Sequence, residues 1–148
     1  PALEAVLRAF PDVLLSVDTF RANVARQAVA AGACLINDVA GGTLDDKMFA
    51  TVAELGVPYV LMHLRGTPQT MQSLATYQNV VTEVIDELAG RLAHLRALGA
   101  KDVILDPGFG FAKTPAQNFA LLRSLNAFRL FDEPLLVGLS RKSTIWRT

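Results

Sequence analysis

The run DVILDPGFGF (residues 102–111) decides how this chain is read. Three aliphatic residues, Val103, Ile104 and Leu105, lead into Asp106, and a proline and two glycines then hold a tight loop. A short, continuous apolar run fits a strand buried on both faces, the kind a parallel sheet uses. Four other runs share the plan: VLLSVDT (13–19), CLINDVAG (34–41), PYVLMHLRG (58–66) and PLLVGLSRKS (134–143). Each ends in polar residues: Asp18, Asn37 and Asp38, His63, and Ser140.

Between the runs the spacing predicts helices. Segment 23–31 stops at Gly32 and segment 44–55 at Gly56. Segment 76–98 carries Val80, Val81, Val84, Ile85, Leu88, Leu92 and Leu95 on one stripe and stops at Gly99. Segment 114–126 opens on Thr114-Pro115, and the first ten residues, PALEAVLRAF, read as the tail of a helix. Glycine just beyond a helix end is the usual left-handed cap, and proline suits a first turn. Strands alternating with helices mean a parallel sheet, either doubly wound or a (β/α)8 barrel. An open sheet gathers its ligand groups at one switch point, whereas a barrel brings every strand end to one mouth. Polar residues on all five tips favour the barrel. A whole barrel needs about 250 residues, so the expectation is a partial TIM barrel of about five parallel strands. It forms one incomplete domain over 1–148, an internal piece of a longer chain.

The 14 Lys plus Arg balance 14 Asp plus Glu. A neutral chain gives no electrostatic reason to expect nucleic acid or an anionic membrane as partner. No signal-peptide pattern is present, and no apolar run approaches the roughly 20 residues of a membrane span. The single cysteine, Cys34, lies in an apolar run and reads as an inert buried thiol in a reducing compartment, so the chain is expected to be cytoplasmic.

The tips suggest chemistry. Alternation puts Leu14, Ser16 and Asp18 on one face of the first strand, with Leu15 and Val17 on the other. A carboxylate there either caps the following turn or meets donors on a ligand. Asn37-Asp38 before Gly41-Gly42 likewise reads as an Asx turn or as a pair of ligand groups. Asp106 followed by Phe109 and Phe111 suits a flat heteroaromatic ligand, the acid accepting ring N–H groups and an exposed phenyl ring forming a wall; the same run is also compatible with two core phenylalanines. Gly108-x-Gly110 is no dinucleotide fingerprint, because position 113 is Lys, and Lys142-Ser143-Thr144 is no phosphate loop, because Arg141 precedes the lysine. His63 has no His or Cys at ligand spacing, and His94 reads as a surface position on the long helix. Ser140 is in no nucleophile elbow. What remains is a binding cup with acceptors, an amide, aromatic walls and the Arg141-Lys142 pair.

In this order, SVDT, INDVAG, LMHLRGTPQTMQ, LDPGFGFAKT and GLSRKS resemble the dihydropteroate synthase family of pterin-binding barrel enzymes. The resemblance spans nearly all of residues 14–145. It implies a transferase of folate biosynthesis, in which p-aminobenzoate displaces diphosphate from (7,8-dihydropterin-6-yl)methyl diphosphate to give 7,8-dihydropteroate. By the same resemblance Asp18, Asn37 and Asp106 hold the pterin, Met62 and Gly138 line its slot, and Lys142 binds its carbonyl and ring nitrogen. Phe111, Arg141 and Ser143 form the p-aminobenzoate pocket, which is also the sulfonamide target. Asp18 and Lys142 are the expected catalytic groups. Mg2+ would come with the substrate diphosphate, on a loop outside this chain, and the whole protein would be a homodimer. Blocks of the type NxTPDSF, TRPG and RVHD are absent from the sequence, so the chain alone is expected to be inactive. Two other readings use the same acceptors: the pterin domain of a methyltetrahydrofolate:corrinoid methyltransferase, which SRKS disfavours, and a non-catalytic pterin-binding module.

Overall fold

The computed structural model describes residues 2–142. In chain order it runs α1 (Ala2–Ala9), β1 (Ser16–Asp18), α2 (Ala22–Ala30), β2 (Leu35–Asp38), α3 (Met48–Leu55), β3 (Tyr59–Met62), α4 (Val80–Ala97), β4 (Val103–Asp106) and α5 (Pro115–Arg123). Single 3-10 turns follow β3 at Met71–Leu74 and α5 at Leu125–Leu130. The four strands pair in parallel in the order β1-β2-β3-β4. Sequential order without reversal is the wall of a barrel, since a doubly wound sheet must reverse at its switch point. The fifth apolar run docks beside β4 through one parallel bridge, Leu105 to Leu135. Two hydrogen bonds hold it, from Leu105 N–H to Pro134 O at 2.9 Å and from Leu136 N–H to Leu105 O at 2.8 Å.

The elements are shorter than the apolar runs, for local reasons. Helix α3 starts at Met48 rather than near 44 because Asp45 is occupied elsewhere: its two oxygens accept from Ala22 N–H (2.7 Å) and Lys47 N–H (3.0 Å), tying the start of α2 to this turn. Helix α4 starts at Val80 because the Asn79 side chain caps it, accepting from the N–H groups of Val81 and Thr82. Glu83 reaches back to the Gln78 and Asn79 N–H groups at 2.6 and 2.9 Å. Helix α5 opens on a full capping box, Thr114 with Gln117, and Pro115 at its first position.

Strand parity divides the core in two. Val17, Ile36, Tyr59, Leu61, Val103, Leu105 and Leu135 pack outward against Val84, Leu88 and Leu95 of α4 and Leu121 of α5. A second, smaller cluster of Ala40, Met62, Leu64 and Ala112 closes the strand tips, with Phe20, Met71 and Phe111 against it. Cys34 is only half-buried, its thiol donating to Leu15 O at 3.4 Å, so it is not the enclosed thiol that its apolar run suggests. His94 is exposed on α4, where its ring meets the edge of Phe49 at 5.3 Å. None of the described helices is long and apolar enough to cross a membrane.

Two glycines let the tip loops press backbone to backbone on β3. A Cβ on Gly41 would stand 2.3 Å from Met62 O, and one on Gly108 would stand 2.1 Å from His63 O; both residues have positive φ, +55° and +70°. Gly108→Ala therefore meets a left-handed backbone cost of about 1–2 kcal/mol and a clash with main chain besides. It is expected to lose at least about 2 kcal/mol in urea denaturation; a loss inside about 0.5 kcal/mol would show that the two loops can separate freely.

Candidate active site at the strand tips

The register places the sequence-selected residues on one face. Asp18 lies opposite Asn37, Asn37 opposite Val60, and Val60 opposite Ile104. One tier higher, Met62 lies opposite Asp106. Because side chains alternate along a strand, Asp18, Asn37, Met62 and Asp106 all turn away from the helix-covered side. Asp18 is exposed there and accepts a hydrogen bond from Asn37 Nδ2 at 3.1 Å. Asn37 is half-buried, and Met62 is almost wholly buried beside Asp106 in the upper tier.

Asp106 is buried, and Gly108 N–H donates to its Oδ1 at 2.8 Å; its second oxygen has no hydrogen bond among the described residues. Burial raises its pKa above the usual carboxylate range, opposed by that N–H, by Lys142 and by Lys113. Such an acid gains from any ligand that offers paired N–H donors. Lys142 lies across the 109–111 turn, with Nζ 4.8 Å from the centre of the Phe111 ring and hydrogen-bonded to Phe109 O. A Cβ on Gly138 would stand 3.7 Å from the same Nζ, so Gly138 borders the lysine. Burial lowers the Lys142 pKa, with Asp106 opposing. Arg141 is exposed and takes a left-handed φ of +57°. Ser143 lies outside the described residues.

The structure decides two readings that the sequence left open. Phe109 is not an exposed wall: it is 1% exposed and belongs to the helix-side core, because its position in the turn carries it under the loop. Phe111 alone, half-buried, faces the mouth. Asp38 is the Asx turn and not a ligand group. It is fully buried and accepts from Ala40 N–H (2.8 Å), Gly42 N–H (2.8 Å) and the Tyr59 hydroxyl (2.7 Å). Burial still raises its pKa despite these donors.

Beneath the tips lies a cluster of buried charge that motif reading missed. Glu87 of α4 accepts from His63 Nε2 (3.1 Å), from Arg65 Nε (2.8 Å) and Nη2 (2.5 Å), and from Arg91 Nη2 (3.3 Å). Burial works to raise its pKa, but the bonds from His63 and Arg65 prevail and hold it at about 2. Arg65 also donates to Glu83 and stacks on Tyr77, its guanidinium carbon 3.9 Å from the ring centre. His63 is fully buried, and burial lowers it to about 4 against the opposing bond to Glu87. With a carboxylate at Nε2, the neutral ring carries its proton there and leaves Nδ1 as an acceptor. Lys113 supplies the donor: its Nζ, 3.0 Å from that nitrogen, also donates to Gly108 O and Phe111 O at 3.0 Å each. Burial lowers Lys113 to about 7, with Asp106 and Glu87 opposing. The signals were a lone lysine in GFGFAKT and the Glu83, Glu87, Arg91 series at helical spacing.

A wall of parallel strands, with acceptors and one lysine along a single rim, is part of the mouth of a (β/α)8 barrel enzyme. The chain belongs to the pterin-binding enzyme family, whose pattern it matches over residues 1–148. It is 45% identical over 147 residues to a dihydropteroate synthase from Synechocystis sp., covering 98% of this chain and 50% of that protein. It thus spans about half the length of that relative. Its backbone matches the crystal structure of dihydropteroate synthase from Thermus thermophilus in complex with 4-aminobenzoate, with a TM-score of 0.92 and 44% identity over 99% of this chain and 56% of that one. It also matches the Xanthomonas albilineans dihydropteroate synthase in complex with 7,8-dihydropteroate, with a TM-score of 0.88 and 38% identity over 99% and 53%.

The buried histidine shapes the response to acid. Its folded pKa, about 4, lies below the ordinary 6.5, so between those values the unfolded chain takes up a proton that the folded chain refuses. The stability is present above about pH 6.5 and is lost as pH falls through about 4. Glu87 adds a further loss from about 4.5 down towards 2. Between pH 6.5 and 4.5, below the Lys113 window and above that of Glu87, melting temperatures should therefore fall, and in His63→Asn that decline should be largely absent. An unchanged decline in that variant would remove His63 as its cause.

Proposed function

We propose that this chain is the pterin-holding and p-aminobenzoate-facing part of a dihydropteroate synthase. The observation that carries the reading is the single rim on which Asp18, Asn37 and Asp106 turn inward while Lys142 lies against Phe111. An aminopyrimidinone ring presents adjacent N–H donors, and a carboxylate in a dry site accepts them in pairs. Asp106 suits that role, with Asn37 and Asp18 along the ring and Met62 beneath it. Lys142, beside Gly138, is within reach of a ring carbonyl and nitrogen. Its stem and Phe111 then form the side on which the second substrate arrives, with Arg141 in the wall of that pocket; by the family resemblance Ser143 would meet the benzoate carboxylate.

In the reaction the amine nitrogen of p-aminobenzoate forms a bond to the pterin methylene carbon. The bond from that carbon to the diphosphate oxygen breaks, its electron pair leaves on the diphosphate, and the nitrogen gives up a proton. When the carbon–oxygen bond breaks early, positive charge collects on the methylene, and a fixed carboxylate such as Asp18 stabilises it. Lys142 holds the ring against rotation meanwhile. No three His, Cys, Asp or Glu side chains converge as metal ligands among the described residues. The expected Mg2+ would come with the substrate diphosphate and the loop outside this chain, since such an ion is held by one or two protein ligands together with phosphate oxygens. The reading extends, on the family resemblance, to a cytoplasmic homodimer.

The SRKS run favours a synthase over a corrinoid-dependent methyltransferase, whose substrate carries its aminobenzoyl group already amidated and needs no aminobenzoate carboxylate site. Calorimetric titration of the complete protein with a pterin analogue tests the reading: Asp106→Ala should weaken binding by at least about 2 kcal/mol, the cost of losing a charge-assisted pair, and equal affinity would end it. Asp18→Asn should bind the analogue but lose turnover by roughly 100-fold or more; near-normal turnover would take the cation-stabilising role from Asp18. The isolated 148-residue chain should form no product, and product from it would refute the assignment of the remaining contacts to other parts of the protein.

A further inference from the structure

Lys113 has no part in the chemistry above, yet it is 3% exposed and every proton of its ammonium has an acceptor. A lysine is rarely enclosed, because burying a charge costs several kcal/mol unless it is paired. Its three bonds go to Gly108 O, Phe111 O and His63 Nδ1. The first two are the ends of the turn between Asp106 and Phe111, which also closes on itself through Phe111 N–H to Gly108 O at 3.1 Å. Gly108 is the residue whose N–H holds Asp106 Oδ1, and Phe111 is the ring beneath Lys142 Nζ. The third bond runs to β3 and, through His63, to Glu87 on α4.

The turn needs such a clamp. Ala112, between Phe111 and Lys113, is wholly buried with φ of +48°, a region that costs a residue with a Cβ about 1–2 kcal/mol. Strained backbone persists where its surroundings over-determine it. Here Tyr77 donates its hydroxyl to Ala112 O at 2.9 Å, Gly110 N–H donates to Asn118 Oδ1 at 2.8 Å, and Lys113 draws two carbonyls inward.

We propose that Lys113 is a positioning residue for both substrates: its ammonium, bound by Gly108 O, Phe111 O and the His63 imidazole, sets the aim of Asp106 and of the Phe111 ring together. It touches neither substrate and acts through the 106–111 turn, and the proposal rests on the synthase reading of the site. Losing the clamp loosens the acid that orients one substrate and the ring that walls the other, so both affinities fall at once. A lysine that only supported the fold would lower stability and leave the affinities of the remaining folded protein alone.

The experiment uses the complete protein with three chains in parallel: the wild type, Lys113→Met, and Val52→Ala, a core change in α3 away from the turn that supplies a loss of stability without the clamp. Each is titrated with pterin-6-carboxylate well below its melting temperature and assayed for KM towards p-aminobenzoate. Lys113→Met should bind the pteridine roughly tenfold more weakly and raise KM by a similar factor, while Val52→Ala stays within about twofold. Affinities for Lys113→Met that match Val52→Ala overturn the proposal and leave the function standing. A wild type that binds no pteridine overturns the function and this proposal with it. If Lys113→Met yields no folded protein, His63→Gln, which removes the imidazole acceptor and keeps the lysine, is measured in its place. Weakened binding of both substrates there supports the clamp, and loss of fold in both variants marks the pair as a buttress and overturns it.

Discussion

Period-two alternation in a sheet whose helices cover only one side governs this structure. Every second residue of β1 to β4 belongs to the helices, and apart from Asp38 at the end of β2 those positions are apolar: Val17, Ile36, Tyr59, Leu61, Val103 and Leu105. The others face the barrel interior. Polar residues can stand there only near the tips, where the chain leaves the ladder and ligands or solvent can satisfy them. That is why Asp106 can end a run as apolar as VIL, and why Asn37 can follow Ile36. Moving any strand by one residue would exchange the two sets and drive carboxylates into the helix core.

The charge beneath the tips obeys a second rule, that a buried ion is given partners; among the described residues only Arg91 Nη1 is enclosed without one. Asp38 receives three donors, Lys113 meets three acceptors, and Glu87 is shared by His63, Arg65 and Arg91. Buried pairs seldom gain much stability over an apolar core, but removing one member leaves the other stranded. Their use here is geometric. They join the loop after β2 to β3, and the loops after β3 and β4 to α4, so the residues that face the mouth rest on a polar scaffold and not on loop packing alone.

Much of this was legible in the sequence. Apolar runs closed by Asp, Asn and His located every strand, and glycines and Thr114-Pro115 located helix ends, because local chemistry alone determines those features. Asp18, Asn37 and Asp106 stood out as polar residues closing apolar runs, whereas Met62 followed only from the family resemblance; the strand register puts the four on one face. The starts of α3 and α4 were not legible, since Asp45 is drawn to Ala22 and Glu83 to Gln78 by contacts that spacing does not encode. Phe109 and Phe111 were read alike, as ligand wall or as core; a turn with positive φ at Gly108 and Gly110 separates them and sends Phe109 into the core. Lys113 was passed over because its partners, 50 residues away at His63 and on the carbonyls of its own loop, are invisible to a search for motifs.

The stacking of Arg65 on Tyr77 bears on the environments in which this mouth can work. Its guanidinium is tied to Glu87 at 2.5–2.8 Å and to Glu83 at 2.7 Å, over an aromatic face that excludes water on one side. Dissolved ions screen charges across a Debye length of about 8 Å at physiological strength, and they act weakly on partly buried pairs in direct contact. The scaffold should therefore be indifferent to salinity, while the encounter of any anionic ligand with the open rim is not, so ionic strength acts on capture and leaves the shape of the site unchanged.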